Sequence, residues 1–453
     1  MSVNLTINGQ PVTVPNGTTI LEAAKKVNIH IPTLCENSGL CRRAICRICV
    51  VECDGSSKLV AACANNVWEG MSVVTNNSRI LDARKTILEL LLANHPQSCL
   101  SCVRNKKCKL QTLAESFGIR TAPFERDITN CPPTIESETI VRDMGKCVKC
   151  ASCVEVCQTV QAIGAINTSR RGHKFEIRTP YGQALNESFC AFCGQCAAVC
   201  PVGAIYEYDQ TAKVWANLNS GHSAIAQVSP ALAAALDNEF GLAAGTITAG
   251  KMAAAIKLLG FDKVFDLTIA ANACNSKLSG ELEERVKNGG KLPLVSGCSQ
   301  GVFRFVENFY PDLIDHLSAV TPRLIFAGKV KDSYAAAKGL NVSNITSVSF
   351  VPCLAQKYGA GAADDSAIAA SKTDFALTAG ELARMINLAG IDIAALPEEP
   401  FDTINIEQGS IAKQTQKETV RSFAEARKVM EAIREGKCSA QWVEILSCHN
   451  ENC

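Results

Sequence analysis

The spacing of apolar positions changes character along this chain. Val3–Ile7 alternates apolar and polar residues like a half-buried strand, Asn8-Gly9 suits a hairpin turn, and Pro11–Val14 answers as the return strand. Thr18 and Thr19 precede helical spacing over Ile20–Val27, and a strand over Ile48–Val51 leads to a second turn at Asp54-Gly55. Residues 1–78 therefore read as a small β-rich domain with one helix. The period then becomes helical, with leucines and isoleucines over Ile80–Ala93, a stop at His95-Pro96 and a restart near Lys109–Phe117. Pro123, Pro132 and Pro133 mark a linker that closes a helical domain over residues 79–135.

Residues 136–209 contain two similar units, CVKCASCVEVCQ (147–158) and CAFCGQCAAVCP (190–201), a repeat of about 43 residues. From 210 to 453 apolar strands (Ala224–Val228, Val264–Leu267, Leu292–Val295, Arg323–Phe326, Ser347–Pro352) alternate with helices at Ala249–Leu259, Leu278–Lys287 and Gly380–Leu388. That alternation implies an α/β architecture with largely parallel strands. Glu418–Glu435 reads as a final amphipathic helix.

Charge narrows the function classes. A net charge of +1 gives no basic footprint for nucleic acid or anionic lipid. No apolar run approaches the ~20 residues of a membrane span. The opening MSVNLTINGQPVTV lacks the basic and apolar regions of a secretory signal, so a cytoplasmic protein is expected.

The 24 cysteines change the picture most. A disulfide scaffold needs a small chain in an oxidising compartment. Here the cysteines stand in CxxC blocks, which suit iron–sulfur clusters. Cys147-x2-Cys150-x2-Cys153-x3-Cys157 and Cys190-x2-Cys193-x2-Cys196-x3-Cys200-Pro201 have the two-cluster ferredoxin spacing, in which each fourth cysteine serves the other cluster. One [4Fe–4S] is thus assigned to Cys147, Cys150, Cys153 and Cys200, the other to Cys190, Cys193, Cys196 and Cys157. In the first block Cys41-x4-Cys46-x2-Cys49 has plant-type spacing, and Cys35-x10-Cys46-x2-Cys49-x13-Cys63 that of ferredoxin-like domains opening large redox subunits. Cys35, Cys46, Cys49 and Cys63 are taken as [2Fe–2S] ligands and Cys41 as a spare. His95-x3-Cys99-x2-Cys102-x5-Cys108 supplies a third [4Fe–4S] set with one neutral imidazole. Cys53, Cys131, Cys274 and Cys438 lack partners at ligand spacing and read as small core residues.

With these modules in this order, the first 209 residues resemble the electron-input region shared by [FeFe]-hydrogenases and the large iron–sulfur subunit of complex I. The remainder resembles the hydrogenase catalytic domain in QVSPALAAALDNEFGL (227–242), TAGKMAAAIKLLGFDKVFD (248–266), NGGKLPL (288–294), FVENFYPDLIDHLS (305–318), VPCLAQK (351–357) and VEILSC (443–448). The resemblance implies a multidomain α/β and α+β chain. Its parts would be a β-grasp [2Fe–2S] domain, a small helical domain for the histidine-ligated [4Fe–4S], a two-cluster ferredoxin domain and an α/β hydrogenase-like domain.

The family anchors its active-site cluster through TSCCPxW, MPCxxK and MACxxGC, and one of those cysteines bridges to a two-iron centre with carbonyl and cyanide ligands. Here SGCSQGV (296–302) puts Cys298 at the proton-shuttling position and Ser299 at the first ligand. Cys353 is kept, but Val351 replaces the methionine and Gln356 the lysine that hydrogen-bonds a cyanide. Cys448 is kept, His449 and Glu451 enter the following turn, and Cys453 arrives one residue late. The two proton-relay glutamates fall at Leu278 and Glu281. No GATGGVMEA-like segment appears near Leu396–Glu407, and no GGGQP extension follows.

The reading is an electron-transfer subunit of a multi-subunit oxidoreductase, a class that includes electron-bifurcating complexes, without the two-iron subcluster, hydrogenase activity being lost. Cys298, Cys353, Cys448 and Cys453 would hold a fourth [4Fe–4S]. The resemblance implies flavin- and NAD(P)-binding iron–sulfur subunits, a formate dehydrogenase or other catalytic subunit, and ferredoxin as partners. No G-x-G-x-x-G fingerprint places dinucleotide binding in this chain. The alternatives are an active [FeFe]-hydrogenase and a redox or hydrogen sensor.

Overall fold

In the computed structural model, the described residues are 1–37, 40, 42–54, 58–124, 133–318, 320, 330–358, 373–403 and 416–447, without the side chains of 173 and 269–271. Cys41, Cys131, Cys448, Cys453 and the expected strand Arg323–Phe326 lie outside them.

The N-terminal hairpin forms as its alternation predicts. Ser2–Ile7 pairs antiparallel with Gln10–Pro15 and parallel with Ser72–Val74, which continues through Val50–Cys53 to Val60–Ala61. The Ile20–Lys26 helix starts with a capping box: Thr19 Oγ accepts from the Glu22 N–H, and the Glu22 carboxylate accepts from the Thr19 N–H at 2.8 Å. Its apolar face, Ile20, Leu21, Ala23 and Ala24, closes the sheet's core. The expected strand Ile48–Val51 runs instead over Val50–Cys53.

Helices Ser78–Ala93 and Lys109–Ser116 follow. Next, Ile140–Arg142 lies between Thr134–Ile135 and Ile205–Glu207 in an antiparallel sheet that brackets both cysteine repeats.

The C-terminal half holds two parallel sheets. One runs Lys263–Asp266, Ser223–Val228, Ile345–Val351, Phe375–Thr378; the other runs Leu294–Gly297, Trp442–Leu446, Lys417–Arg421. Ser223–Val228 and Ile345–Val351 are buried nearly throughout, as parallel strands covered by helices on both faces should be. The helix expected over Leu278–Lys287 begins at Leu267. The expectation for Glu418–Glu435 is corrected: Lys417–Arg421 is a strand, Ser422 turns the chain at φ +118°, and the helix is Phe423–Arg434. Val420 pairs with Ile445 and is buried, so sheet pairing overrides the helical spacing of this stretch. Among the described residues, no helix is long and apolar enough to cross a membrane.

Candidate metal centres

The loop between the first helix and the strand Val50–Cys53 carries Cys35, Cys46 and Cys49, and Cys63, just after Val60–Ala61, joins them to make two pairs. The Cys46 N–H donates to the Cys35 sulfur at 3.5 Å, and the Cys46 thiol bonds to Cys35 and holds its thiol down to about 6. Cys63 does the same for Cys49, to about 7, while the donors Cys46 and Cys63 are pushed up. The charge of Cys35 also raises Cys49 and Cys63, so the two pairs are neighbours. Ala44 and Arg47 take left-handed φ of +51° and +58° to turn the loop inward. Two pairs of thiols match the needs of a two-iron cluster, in which each iron takes two protein ligands.

The repeats build their cups alike. Lys149 and Ala151 have φ of +56° and +60°; Phe192 and Gly194, at the same offsets in the second unit, have +49° and +75°. Each left-handed residue reverses the chain between two cysteines and aims main-chain N–H groups at sulfur. The Lys149 N–H reaches Cys147 Sγ and the Phe192 N–H reaches Cys190 Sγ, both at 3.4 Å. A short helix, Ser152–Glu155, then opens into a π-turn over Val156–Val160 that carries Cys157.

The grouping of the thiols is crossed between the units. Cys147, Cys150 and Cys153 interact with Cys200, and all four line one apolar cavity with Ile177, Val202 and Ile205. Cys190, Cys193 and Cys196 interact with Cys157. Burial pushes Cys147 and Cys190 up to about 12, and Cys153 and Cys196 well above the ordinary range. Such thiols ionise only when a cation compensates them, which is the environment of a buried iron–sulfur ligand.

His95 ends the helix Ser78–Ala93 and is buried, and burial lowers its pKa. Its ring bonds the Lys146 main chain, while Nδ1 is buried without a hydrogen-bond partner. A neutral imidazole held at one nitrogen and open at the other is the form that ligates metal. Burial raises the Cys108 thiol, and the charges of Cys102 and Cys99 add to that rise, which places the three sulfurs near one another. The loop rests on the second repeat: a Cβ at Gly203 would stand 2.9 Å from Cys102 Sγ, and Arg104 donates to the Ala197 carbonyl at 2.9 Å.

The sets also touch one another. Ser152 donates to the Cys35 carbonyl at 3.4 Å, Arg43 Nε donates to Glu155 at 2.6 Å, and the Cys35 charge is felt at Cys150. Cys196 feels Cys153 across the repeat, and Cys193 feels Cys353 from the C-terminal half. The second repeat is clamped to that half. Arg304 donates to the carbonyls of Cys190 (2.8 Å) and Ser188 (3.1 Å), and Phe192 stacks on Tyr358 at 4.2 Å. Gly194 packs so closely on Leu354 that a Cβ there would come within 2.5 Å of it.

Cys298 and Cys353 follow the C-terminal ends of strands in the two parallel sheets. Cys298 Sγ is 3.6 Å from Ser447 Oγ and accepts from the Ser447 N–H at 3.5 Å. Ser299, at the start of the helix Gln300–Phe309, has a buried hydroxyl without a hydrogen-bond partner. Gln356 is half-buried; Lys357 beside it is buried, donating to the Glu381 carboxylate and the Tyr208 carbonyl, both at 2.6 Å. Leu278 is core, and Glu281 accepts from Arg285 at 2.7 Å and from Ser318 at 2.5 Å. Of the spare cysteines, Cys53 and Cys274 are buried and Cys438 packs at the edge of a core. Sequence reasoning missed the Lys357–Glu381 pair; the Thr378–Glu381 capping-box spacing was the available signal, but it does not point to a lysine 24 residues away. Among the described residues, no three Cys, His, Asp or Glu side chains converge on the point a single ion would occupy.

Comparison with known proteins finds iron–sulfur binding domains in the same chain. Residues 1–78 match a 2Fe-2S iron–sulfur cluster binding domain, 84–123 the NADH-ubiquinone oxidoreductase-G iron–sulfur binding region, and 146–204 a 4Fe-4S dicluster domain. Residues 222–419 match the iron only hydrogenase large subunit, C-terminal domain. The chain is 39% identical to the NADP-reducing hydrogenase subunit HndD of Solidesulfovibrio fructosivorans, over 88% of this chain and 71% of that one. It is 31% identical to iron hydrogenase 1 of Clostridium pasteurianum, over 87% and 70%. The NADPH-Fe(3+) oxidoreductase subunit alpha of Geobacter sulfurreducens is 36% identical over 45% of this chain and 24% of its own. With cysteine sets for both 2Fe-2S and 4Fe-4S clusters on an iron-only hydrogenase domain, this chain belongs to the iron-only hydrogenase family.

Proposed function

We propose that this chain is an electron-transfer subunit whose hydrogenase-like half carries an ordinary cluster in place of a hydrogen-activating centre. One observation carries the reading: Lys357, the lysine nearest the family's cyanide-binding position, is sealed against Glu381 and Tyr208, and Gln356 stands in its place. Ser299 and Leu278, where the family has a ligand and a proton carrier, support it.

The proposed ligand sets are Cys35/Cys46/Cys49/Cys63 for [2Fe–2S], and His95/Cys99/Cys102/Cys108, Cys147/Cys150/Cys153/Cys200 and Cys190/Cys193/Cys196/Cys157 for [4Fe–4S]. Cys298 and Cys353, joined by Cys448 and Cys453, are proposed for a fourth [4Fe–4S]. Bound iron–sulfur clusters supply one-electron transfer. The chain's residues order the sets in space. The Cys35 loop and the His95 loop both rest on the repeats, and Arg304, Phe192 and Gly194 fix the second repeat against Cys353. Apolar walls of Ile177, Val202 and Ile205 keep water from the first cup, and main-chain N–H groups bond its sulfurs.

The names of the relatives, subunits of NADP- or NADH-linked oxidoreductases, support a multi-subunit complex with flavin- and NAD(P)-binding iron–sulfur subunits, and the complex is proposed to be cytoplasmic. A formate dehydrogenase or similar subunit and ferredoxin are the remaining partners proposed. Iron analysis with electron paramagnetic resonance on anaerobically purified protein should give one [2Fe–2S] and four [4Fe–4S] clusters. Infrared spectra of protein made with the hydrogenase maturation machinery should show no carbonyl or cyanide bands; such bands with hydrogen evolution would overturn the proposal.

A further inference from the structure

Arg84 occupies the buried face of the helix Ser78–Ala93. Ile80, Arg84 and Leu88 recur every four residues, so they share one side of the helix, and all three are buried. Arg84 is only 3% exposed, an unusual place for a cation. Its guanidinium donates to the Val50 carbonyl at 2.8 Å, one residue beyond Cys49, and its Nε is buried without a hydrogen-bond partner.

The neighbouring charges are otherwise engaged. Arg142, the other buried arginine among the described residues, has the Glu136 carboxylate at 3.4 Å. Glu52, on the strand against which Arg84 packs, pairs with Arg79 at 3.7 Å and accepts from Asn77 at 2.9 Å. Among the described residues no carboxylate pairs with Arg84; burial lowers its pKa, and the charge that opposes this is the Cys49 thiolate. Arg42 and Arg43, in the Cys35–Cys49 loop, are neutralised by Glu22 at 3.0 Å and Glu155 at 2.6 Å, and Arg47 is exposed, where salt and water screen it. A buried charge without a counter-charge is strongly unfavourable. The anion that satisfies Arg84 therefore has to come from the cysteine set beside it.

We infer that Arg84 is the built-in counter-charge of the [2Fe–2S] centre and raises its reduction potential, an inference that rests on the assignment of Cys35, Cys46, Cys49 and Cys63 to that centre. A cluster held by four thiolates carries net negative charge, and reduction adds one electron to it with no bond to Arg84 made or broken. A fixed cation in a poorly shielded interior favours the more negative, reduced form. Packing alone does not call for the charge, because an aliphatic side chain would continue the stripe from Ile80 to Leu88.

The test is a dithionite redox titration of the full-length, cluster-loaded chain, followed through the electron paramagnetic resonance of each centre. Arg84→Gln keeps a donor for the Val50 carbonyl but removes the charge. It should lower the reduction equilibrium constant of the [2Fe–2S] centre about tenfold, the order expected of one unit charge, which is a fall of about 59 mV for a one-electron couple. Arg84→Lys keeps the charge and should stay within about twofold of wild type. The [4Fe–4S] potentials should not move in either variant, which separates loss of a local charge from a general loosening of the fold. A wild-type potential in Arg84→Gln, or an equal fall in both variants, overturns the inference. If Arg84→Gln loses the centre, Arg84→Met, which removes the charge and fills the apolar face, is read against Arg84→Lys in its place. A wild-type chain without a [2Fe–2S] resonance is a separate outcome and overturns the ligand assignment instead.

Discussion

Lys357 and Glu381 form an ion pair of 2.6 Å with neither side chain exposed to solvent. The carboxylate also accepts from the main-chain N–H groups of Gln210 and Thr378, each at 2.8 Å. The pair ties the turn after Cys353 to the strand end that leaves the cysteine repeats. Breaking a buried pair leaves an uncompensated charge, so Lys357→Met should cost about 3–5 kcal/mol. Replacing both partners with apolar residues should recover only part of that loss, because the Gln210 and Thr378 N–H groups and the Tyr208 carbonyl would lose their buried partners. Denaturant titration of the cluster-loaded chain measures both.

In the proposed ligand sets His95 is a neutral donor where the others have thiolates only. His95→Cys adds an anionic ligand and should lower the midpoint potential of that cluster alone, because added negative charge favours the oxidised form. His95→Ala should remove one [4Fe–4S]. Redox titration followed by electron paramagnetic resonance distinguishes the outcomes, and an unchanged potential in His95→Cys would exclude ligation.

Cys353 faces the second repeat at Cys193. Cys353→Ala should lower the iron content by one four-iron cluster and leave the other signals intact. Ser299→Ala, which removes a buried unpartnered hydroxyl, should leave the iron content as it is. Equal iron in wild type and Cys353→Ala would make the C-terminal cysteines structural.

Cys274 is a thiol of another kind. Burial in the core raises it from 9.0 to about 12. The folded state thus holds the proton more tightly than the unfolded chain. The resulting stability is full below about pH 9 and is lost as pH rises towards 12. Wild-type melting temperature should therefore fall more steeply than that of Cys274→Ala between pH 9 and 11. Iodoacetamide at pH 8.5 should leave Cys274 unmodified in the folded chain.

Much of the input region was legible because its information is local. The Asn8-Gly9 turn, the Thr19–Glu22 capping box and the cysteine spacings each lie within a few residues, and each predicts a structure that does not depend on distant partners. The strands Phe375–Thr378 and Trp442–Leu446 were missed, and Lys417–Arg421 was read as helix. Their ladders join residues tens to hundreds of positions apart, such as Leu294 with Trp442, and parallel pairing leaves no hairpin signal between them. The close seat of Gly194 on Leu354 is likewise invisible in spacing, since the sequence shows a glycine but not what approaches it.

The exchange of Cys157 and Cys200 between the repeats bears on how the protein is made. On the proposed ligand sets, each unit holds three corners of one cup and one corner of the other, so neither unit emerging alone from the ribosome has a finished receptacle. Iron delivery to either set would then wait until the stretch from Cys147 to Cys200 has closed on itself.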